Sequence, residues 1–289
     1  MSKIVSVASF WAGSPLSFFE RVCIQSFLDH GYKFYLYTLG NVENIPSGVV
    51  VRDASEVFSA NLGKSEDVRF NMGVYSDVFR IHMMKKTDHM WVDLDVYCAR
   101  KIDFEASHYF GVVFSRSSTN NCVLKLPKDS MALQLILNFF QAEVPIPFWW
   151  QPSKLSKLME SYKQGVRPTL YSLPWTTTGP NVLTWALRTT GEIKMGQHWH
   201  TYYQHVQASN YEFLQTGAPM SEYEGQRVRF VHLYGSTKLQ IRDTFNGVPP
   251  KGSYVAEICT RHGVNPLEHP IPSYTASVHP VAEGCSFWK

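Results

Sequence analysis

The feature that most constrains the fold is the order of patterns over the first hundred residues, where short apolar runs alternate with stretches of helical spacing. Residues 4–9 suit a buried strand, closed by the loop Trp11-Ala-Gly-Ser-Pro15. Ser14 is placed to cap a helix with Pro15 at its first position, where the missing N–H of proline costs nothing. Phe18, Phe19, Val22 and Ser26 continue that helix to about Asp29, and Gly31 ends it. Residues 33–38 and 48–51 read as two more strands, residues 71–86 as a helix, and Met90-Trp-Val-Asp-Leu-Asp-Val96 as a strand. This β-α-β-β-α-β order predicts an α/β fold with a doubly wound, mostly parallel central sheet flanked by helices. Ligands of such sheets bind beyond the carboxyl ends of the strands, where Trp11 and the pair Asp93 and Asp95 would sit.

The pattern then becomes mixed. Strands are expected at 109–114, 122–125 and 228–233, with helices at 130–141 and 153–162 and another opened by Gly179-Pro180 and running to about Thr189. Prolines and glycines accumulate from Gly247, and the last twenty residues look irregular. The expected organisation is one domain over residues 1–245, with a ligand-binding half up to about residue 105 and an α-rich lobe over 106–245. Residues 246–289 form a partly irregular C-terminal extension.

Composition narrows the class of function. Hydrophobic residues make up 44% and charged ones 18%, as in a globular chain. The 8 Trp, 15 Tyr and 18 Phe suit stacking on bases or sugar faces, although most such rings pack a core. A net charge of +3 with no basic run longer than two residues argues against a nucleic-acid partner. Five scattered cysteines (Cys23, Cys98, Cys122, Cys259 and Cys285) without a Cys-x-x-Cys pair argue against a zinc site or disulfide framework and fit a reducing compartment. No stretch reaches the roughly 18 apolar residues of a transmembrane segment. The expected location is cytoplasmic, with any membrane association made through partners.

If residues 90–96 form one strand, alternation puts Trp91, Asp93 and Asp95 on one face. Two carboxylates at a sheet edge make a poor core and a good seat for a hard cation such as Mg²⁺ or Mn²⁺. In a chain with 24 acids such a pair also arises by chance, as a solvated strand end. Asp77 and Arg80, three apart, share a helix face, where a surface ion pair is the plain alternative to a site.

Two longer blocks carry a family resemblance. Ser9-Phe-Trp-Ala-Gly-Ser-Pro-Leu-Ser-Phe-Phe-Glu20 and Ser26-Phe-Leu-Asp-His-Gly-Tyr-Lys-Phe-Tyr-Leu-Tyr37 resemble the amino-terminal block of glycosyltransferase family 32. Tyr75-Ser-Asp-Val-Phe-Arg80 followed by Trp91-Val-Asp-Leu-Asp95 is similar to that family's Ser-Asp-x-x-Arg and Asp-x-Asp pair, shared with the glucosylating toxins. Asn120-Asn-Cys-Val-Leu-Lys-Leu-Pro127 and Thr178-Gly-Pro180 match further blocks, so the resemblance covers residues 5–235. It implies the GT-A fold, with Asp95 as a direct metal ligand and Asp93 on the metal, the ribose or the sugar. Asp77 would bind hydroxyls of the donor sugar, and Arg80 the sugar or the diphosphate. Phe10 and Trp11 belong to the donor side, Trp11 stacking on or flanking the base, and Trp91 lines that pocket or packs beneath it. Asn121 donates to the sugar or acceptor, or serves only its turn. Trp150, Trp175, Thr178 and Gly179 fall on the acceptor side, where core packing by the tryptophans is the competing reading.

Val231-His-Leu-Tyr-Gly-Ser-Thr-Lys238 is similar to the His-x-x-Gly-x-x-Lys ending of retaining enzymes of the glycogenin and lipooligosaccharide type. There the His completes the metal shell and the Gly amide and Lys bind diphosphate, roles that would fall to His232, Gly235 and Lys238. Those enzymes continue with Pro-Trp where this chain has Leu239-Gln240, which puts Lys238 in doubt. His198, His200 and His205 have no acid nearby and read as a polar strand or loop.

The implied activity is transfer of a sugar, with retention, from a UDP- or GDP-sugar to a glycan acceptor, with Mn²⁺ or Mg²⁺ as cofactor. The acceptor would be an oligosaccharide, glycolipid or glycoprotein, as in surface polysaccharide synthesis. A non-catalytic nucleotide-sugar- or glycan-binding protein of the same fold is the alternative. A haloacid-dehalogenase-type phosphatase is disfavoured, because Tyr97 stands where that motif needs Thr or Val.

Overall fold

The computed structural model describes residues 6–13, 15–59, 72–103, 105–113, 118–174, 176–198, 202–203 and 210–273. The central sheet is built first from β1 (Ser6–Ala12), β2 (Lys33–Leu39), β3 (Val50–Asp53) and β4 (Met90–Val92), all mutually parallel in the order β3-β2-β1-β4. The sheet continues from β4 through β7 (Ser118–Lys125) and β6 (Tyr109–Val113), both antiparallel steps, to β8 (Gln197–His198), giving seven strands. A second sheet of three strands joins β5 (Val96–Cys98), β10 (Phe230–His232) and β9 (Tyr202–Tyr203).

The expected α/β class and mostly parallel start of the sheet are what the chain forms. The helix α1 (Phe18–Asp29) covers one face of the large sheet, and α2 (Met72–Lys86), α3 (Met131–Gln141) and α5 (Val182–Thr190) cover the other. The helix α4 (Pro152–Lys163) has no fully buried residue. The short α6 (Met220–Tyr223), then α7 (Gly235–Thr244) and α8 (Tyr254–Arg261), complete the chain. Ile24 and Phe27 of α1 pack on the large sheet, while Phe18, Phe19, Val22 and Cys23 pack towards the small sheet and α8. One helix is therefore buried on two sides, with Phe18, Phe19, Val22, Cys23, Ile24 and Phe27 covering more than one stripe of its surface.

Several expectations are corrected. Ser14 lies outside the described residues, and α1 begins after Ser17 instead, with Pro15 in the approach to the helix. Ser17 and Glu20 form a reciprocal capping box, the Ser17 amide donating to Glu20 Oε2 at 3.0 Å. The far end is closed as expected: Gly31 (φ 73°) donates to Leu28 O and Tyr32 to Phe27 O, a Schellman turn. Trp11 belongs to β1 and not to a loop. The strand expected over 90–96 stops at Val92: the Asp93 amide still bonds Cys122 O on β7, but the chain then turns, Val96 N closing on Asp93 O, and enters the second sheet. The two acids therefore sit on a turn and do not share a strand face.

Beyond Gly247 the described residues carry one helix, α8. Ser253 caps α8, whose Tyr254, Val255, Ile258 and Cys259 are buried with Phe18, Tyr97 and Ile271. The Phe18 amide bonds His269 O at 2.7 Å, tying residues past α8 to the first helix. The described cysteines, Cys23, Cys98, Cys122 and Cys259, are buried and free. Among the described residues no helix is long and apolar enough to cross a membrane.

Candidate functional site

The strand order β3-β2-β1-β4 places a topological switch point between β1 and β4, since the connection through α1 leads one way and that through α2 the other. Asp93 follows directly from the carboxyl end of β4 at that point. The turn after it is stitched in place by Val96 N to Asp93 O (3.1 Å) and by Leu233 N to Asp95 O (2.8 Å). The second bond brings the end of β10 alongside, and His232 Nε2 lies 3.3 Å from Asp95 Oδ1. One ligand atom from each of Asp93, Asp95 and His232 falls within 4.8 Å of the others. Residues separated by more than a hundred positions are thus brought to one point by a strand end, a turn and a second-sheet strand.

Arg80 is the pivot of a second, contiguous group. It sits in the middle of α2 with 6% of its surface exposed, an expensive place for a charge unless it is paired. Its guanidinium lies 3.2 Å from Asp93 Oδ1 and 3.3 Å from Asp77 Oδ1. It also donates to Asn121 O at 2.7 Å and to Ser76 Oγ at 3.2 Å, and lies 4.6 Å over the Trp91 ring. Trp91 is fully buried, and its indole N–H donates to Asp93 Oδ1 at 2.7 Å, so it packs beneath the site and orients the acid. Asp77 accepts from Asn121 Nδ2 (3.0 Å) and from the Thr178 hydroxyl (2.9 Å). Thr178 and Gly179 lie on a π-helical turn, Thr177–Asn181, that leads into α5. A Cβ on Gly179 would stand 2.8 Å from Asp77 Oδ2 and 2.9 Å from Asn121 Nδ2, so the turn closes directly on the acid.

The charges are unequally held. Burial pushes Asp93 up to about 6 against the pull of Arg80, with Asp95 adding to the rise. Burial would raise Asp95 too, but His232 more than offsets it and the carboxyl stays below its ordinary value. Burial lifts Asp77 in spite of Arg80 and its two hydrogen bonds. Burial opposes protonation of His232, yet Cys122 and Asp95 beside it carry its pKa well above the ordinary value. Asp95 Oδ1 and His232 Nδ1 are buried without a well-formed hydrogen bond.

Other residues expected at a site are placed as follows. Phe10 is core, its ring 4.9 Å from Tyr75 and 5.1 Å from Phe79. Trp11 is partly buried at the carboxyl end of β1, 5.3 Å from Lys238 Nζ. Lys238 is held by Glu20 at 2.5 Å, a buried partner on α1 that serves the capping box as well. Gly235 is the first residue of α7. Trp150 is partly buried against the α2–α3–α5 core, with Lys154 Nζ 3.9 Å over its ring. Trp175, His200 and His205 lie outside the described residues, as does the His198 side chain.

Sequence reasoning missed Ser76, Glu20, Cys122 and Tyr234. Ser76 and Glu20 stand inside the motifs quoted above, but only their contacts reveal a role. Cys122 was set aside with the scattered cysteines, and no local signal marks Tyr234.

No protein-family model and no curated protein matches the sequence. Two solved structures show a remote similarity of chain path. The PaToxG glycosyltransferase shares 13% identity over 66% of this chain and 73% of its own, with a TM-score of 0.42. The galactosyltransferase LgtC, solved with donor and acceptor sugar analogues, shares 11% identity over 89% and 95%, with a TM-score of 0.40.

Proposed function

We propose that this chain is a metal-dependent glycosyltransferase of the GT-A fold, related to family 32, that moves a sugar with retention from a UDP- or GDP-sugar to a glycan acceptor. The observation that carries the reading is the convergence of Asp93, Asp95 and His232 within 4.8 Å at the switch-point end of the sheet. The residues fit a hard divalent cation. Asp95 Oδ1 and His232 Nδ1 are buried with lone pairs or protons unspent. Charge also favours it: the carboxylates of Asp77, Asp93 and Asp95 face the guanidinium of Arg80 and the imidazole of His232, so even a protonated His leaves one negative charge over.

Asp93, Asp95 and His232 would hold Mn²⁺ or Mg²⁺, and the cation would neutralise charge developing on the departing diphosphate. Arg80 adds a fixed positive charge on the same side, held by Asp77, Asp93, Asn121 and Ser76 so that it needs no reorganisation during reaction. Asp77 Oδ2, which accepts from the Thr178 hydroxyl, would keep a lone pair for a hydroxyl of the donor sugar, while Asn121 and Arg80 hold Oδ1. Trp91 fixes Asp93 from below. Retention by front-face attack passes the acceptor proton to the leaving phosphate, so no protein base is required, and catalysis is positioning and electrostatics.

The test is thermal stability against a panel of nucleotide sugars, each with and without Mn²⁺. One donor should stabilise only with metal present, by about 2.7 kcal/mol at a hundredfold excess over its Kd. Asp95→Ala should abolish the shift. No shift with any donor overturns the donor site, and a shift without transfer to any glycan leaves a binding protein.

A further inference from the structure

Tyr234 adopts φ 63° and ψ 142°, a backbone region that strains any residue with a side chain and that glycine occupies freely. Among the described residues the other non-glycine positions with positive φ are Asn44, Thr176 and Asn246, two of them the residue type that tolerates it best. Thr176, at ψ −14°, stays in the left-handed helical region, whereas Tyr234, at ψ 142°, lies outside it. Its surroundings give the reason. The ring lies against the His232 imidazole, with centroids 3.9 Å apart and planes at 30°. Leu233, between them, is fully buried and its amide is bound to Asp95 O. One residue later α7 begins at Gly235, with Thr237 N closing on Tyr234 O at 3.1 Å. The chain must leave β10 and enter α7 across only two residues, Leu233 and Tyr234, and the positive φ at Tyr234 makes that corner while folding the ring back over the histidine.

A histidine that binds metal is ordinarily oriented by a hydrogen bond to its other ring nitrogen. His232 Nδ1 is buried and makes none of good geometry, the Cys122 thiol standing beside the ring as its second partner besides Asp95. We infer that Tyr234 is a positioning residue that takes over this task by stacking: its ring holds the imidazole with Nε2 toward Asp95, at the expense of backbone strain. The inference rests on the reading of Asp93, Asp95 and His232 as a cation site.

The experiment is titration of the full chain with free Mn²⁺, read by electron paramagnetic resonance, beside the thermal midpoint of each variant. Tyr234→Phe, which keeps the ring, should bind within twofold of wild type. Tyr234→Gly relieves the strain and removes the ring, so Mn²⁺ binding should weaken about tenfold while the midpoint holds or rises. A tyrosine of purely structural importance would lower both readings together. Unchanged Mn²⁺ affinity in Tyr234→Gly, or a midpoint lowered by more than about 5 °C, overturns the inference. Wild type that binds no Mn²⁺, or His232→Ala that binds as well as wild type, overturns the cation site and this inference with it.

Discussion

The guanidinium of Arg80 lies 3.2 Å from the carboxylate of Asp93 and joins the middle of α2 to the turn after β4. Arg80 is almost wholly buried and holds Asp77 on its other side, and among the described residues neither acid forms a salt bridge to another cation. The pair ties the helix to the turn electrostatically.

Removing that cation leaves Asp77 and Asp93, both largely buried, without the guanidinium that joins them. Arg80→Ala should cost about 3–5 kcal/mol, read from urea denaturation. Arg80→Lys should recover little, because one ammonium cannot reach Asp77, Asp93, Asn121 O and Ser76 together as the planar guanidinium does. A lysine variant of wild-type stability would show that the geometry of the pair is unimportant.

The π-helical turn tolerates no side chain at residue 179, since an added Cβ would meet Asp77 and Asn121 at 2.8–2.9 Å. Gly179→Ala should destabilise by about 1–3 kcal/mol and abolish donor-dependent stabilisation even where the fold persists. Donor binding at wild-type strength in this variant would remove Asp77 from the sugar site.

Glu20 and Lys238 link α1 to α7 across 218 residues of sequence. Glu20 is nearly fully buried while Lys238 is about a quarter exposed, so losing the lysine strands a buried acid and losing the acid frees a cation to water. Lys238→Met should therefore cost more than Glu20→Gln. The double-mutant cycle should show a coupling of about 0.5–3 kcal/mol, and additive effects would mean that the pair contributes no joint stabilisation.

His89 gives the pH dependence a definite sign. Burial, with help from Lys125, holds its pKa down at about 4 in the folded chain. The unfolded chain therefore binds the extra proton between its ordinary value near 6.5 and about 4. The contribution of His89 is present above that window and lost as pH falls through it. Asp93, raised to about 6, acts in the opposite sense: its contribution is present at acid pH and lost as pH climbs from the ordinary carboxylate range through 6. Urea midpoints measured from pH 4 to 7 should lose the acid-side fall in His89→Gln. In Asp93→Asn they should lose the opposing term, leaving a steeper rise with pH. A profile unaltered by His89→Gln would place that histidine's titration elsewhere.

What the sequence determined by itself was local. The alternation of apolar runs and helical spacing led to the order of strands and helices from β1 to β4, because that spacing reflects contacts within a few residues. The acid pair, Asp77 with Arg80, and His232 stood out because carboxylates, guanidinium and imidazole are few and chemically specific. Tertiary structure alone decided the rest. Where β4 stops depends on the turn after Asp93 being held against β10, through Leu233 N to Asp95 O and the pairing of β5 with β10, partners more than a hundred residues away and invisible to any local pattern. The meeting of Asp95 with His232, and of Asp77 with Asn121 and Thr178, depends on how two sheets and a π turn are set against one another. The order of α8 and the corner at Tyr234 are likewise fixed by burial against distant residues. Propensity in a proline- and glycine-rich tail does not predict the first, and backbone strain paired with a ring contact produces the second.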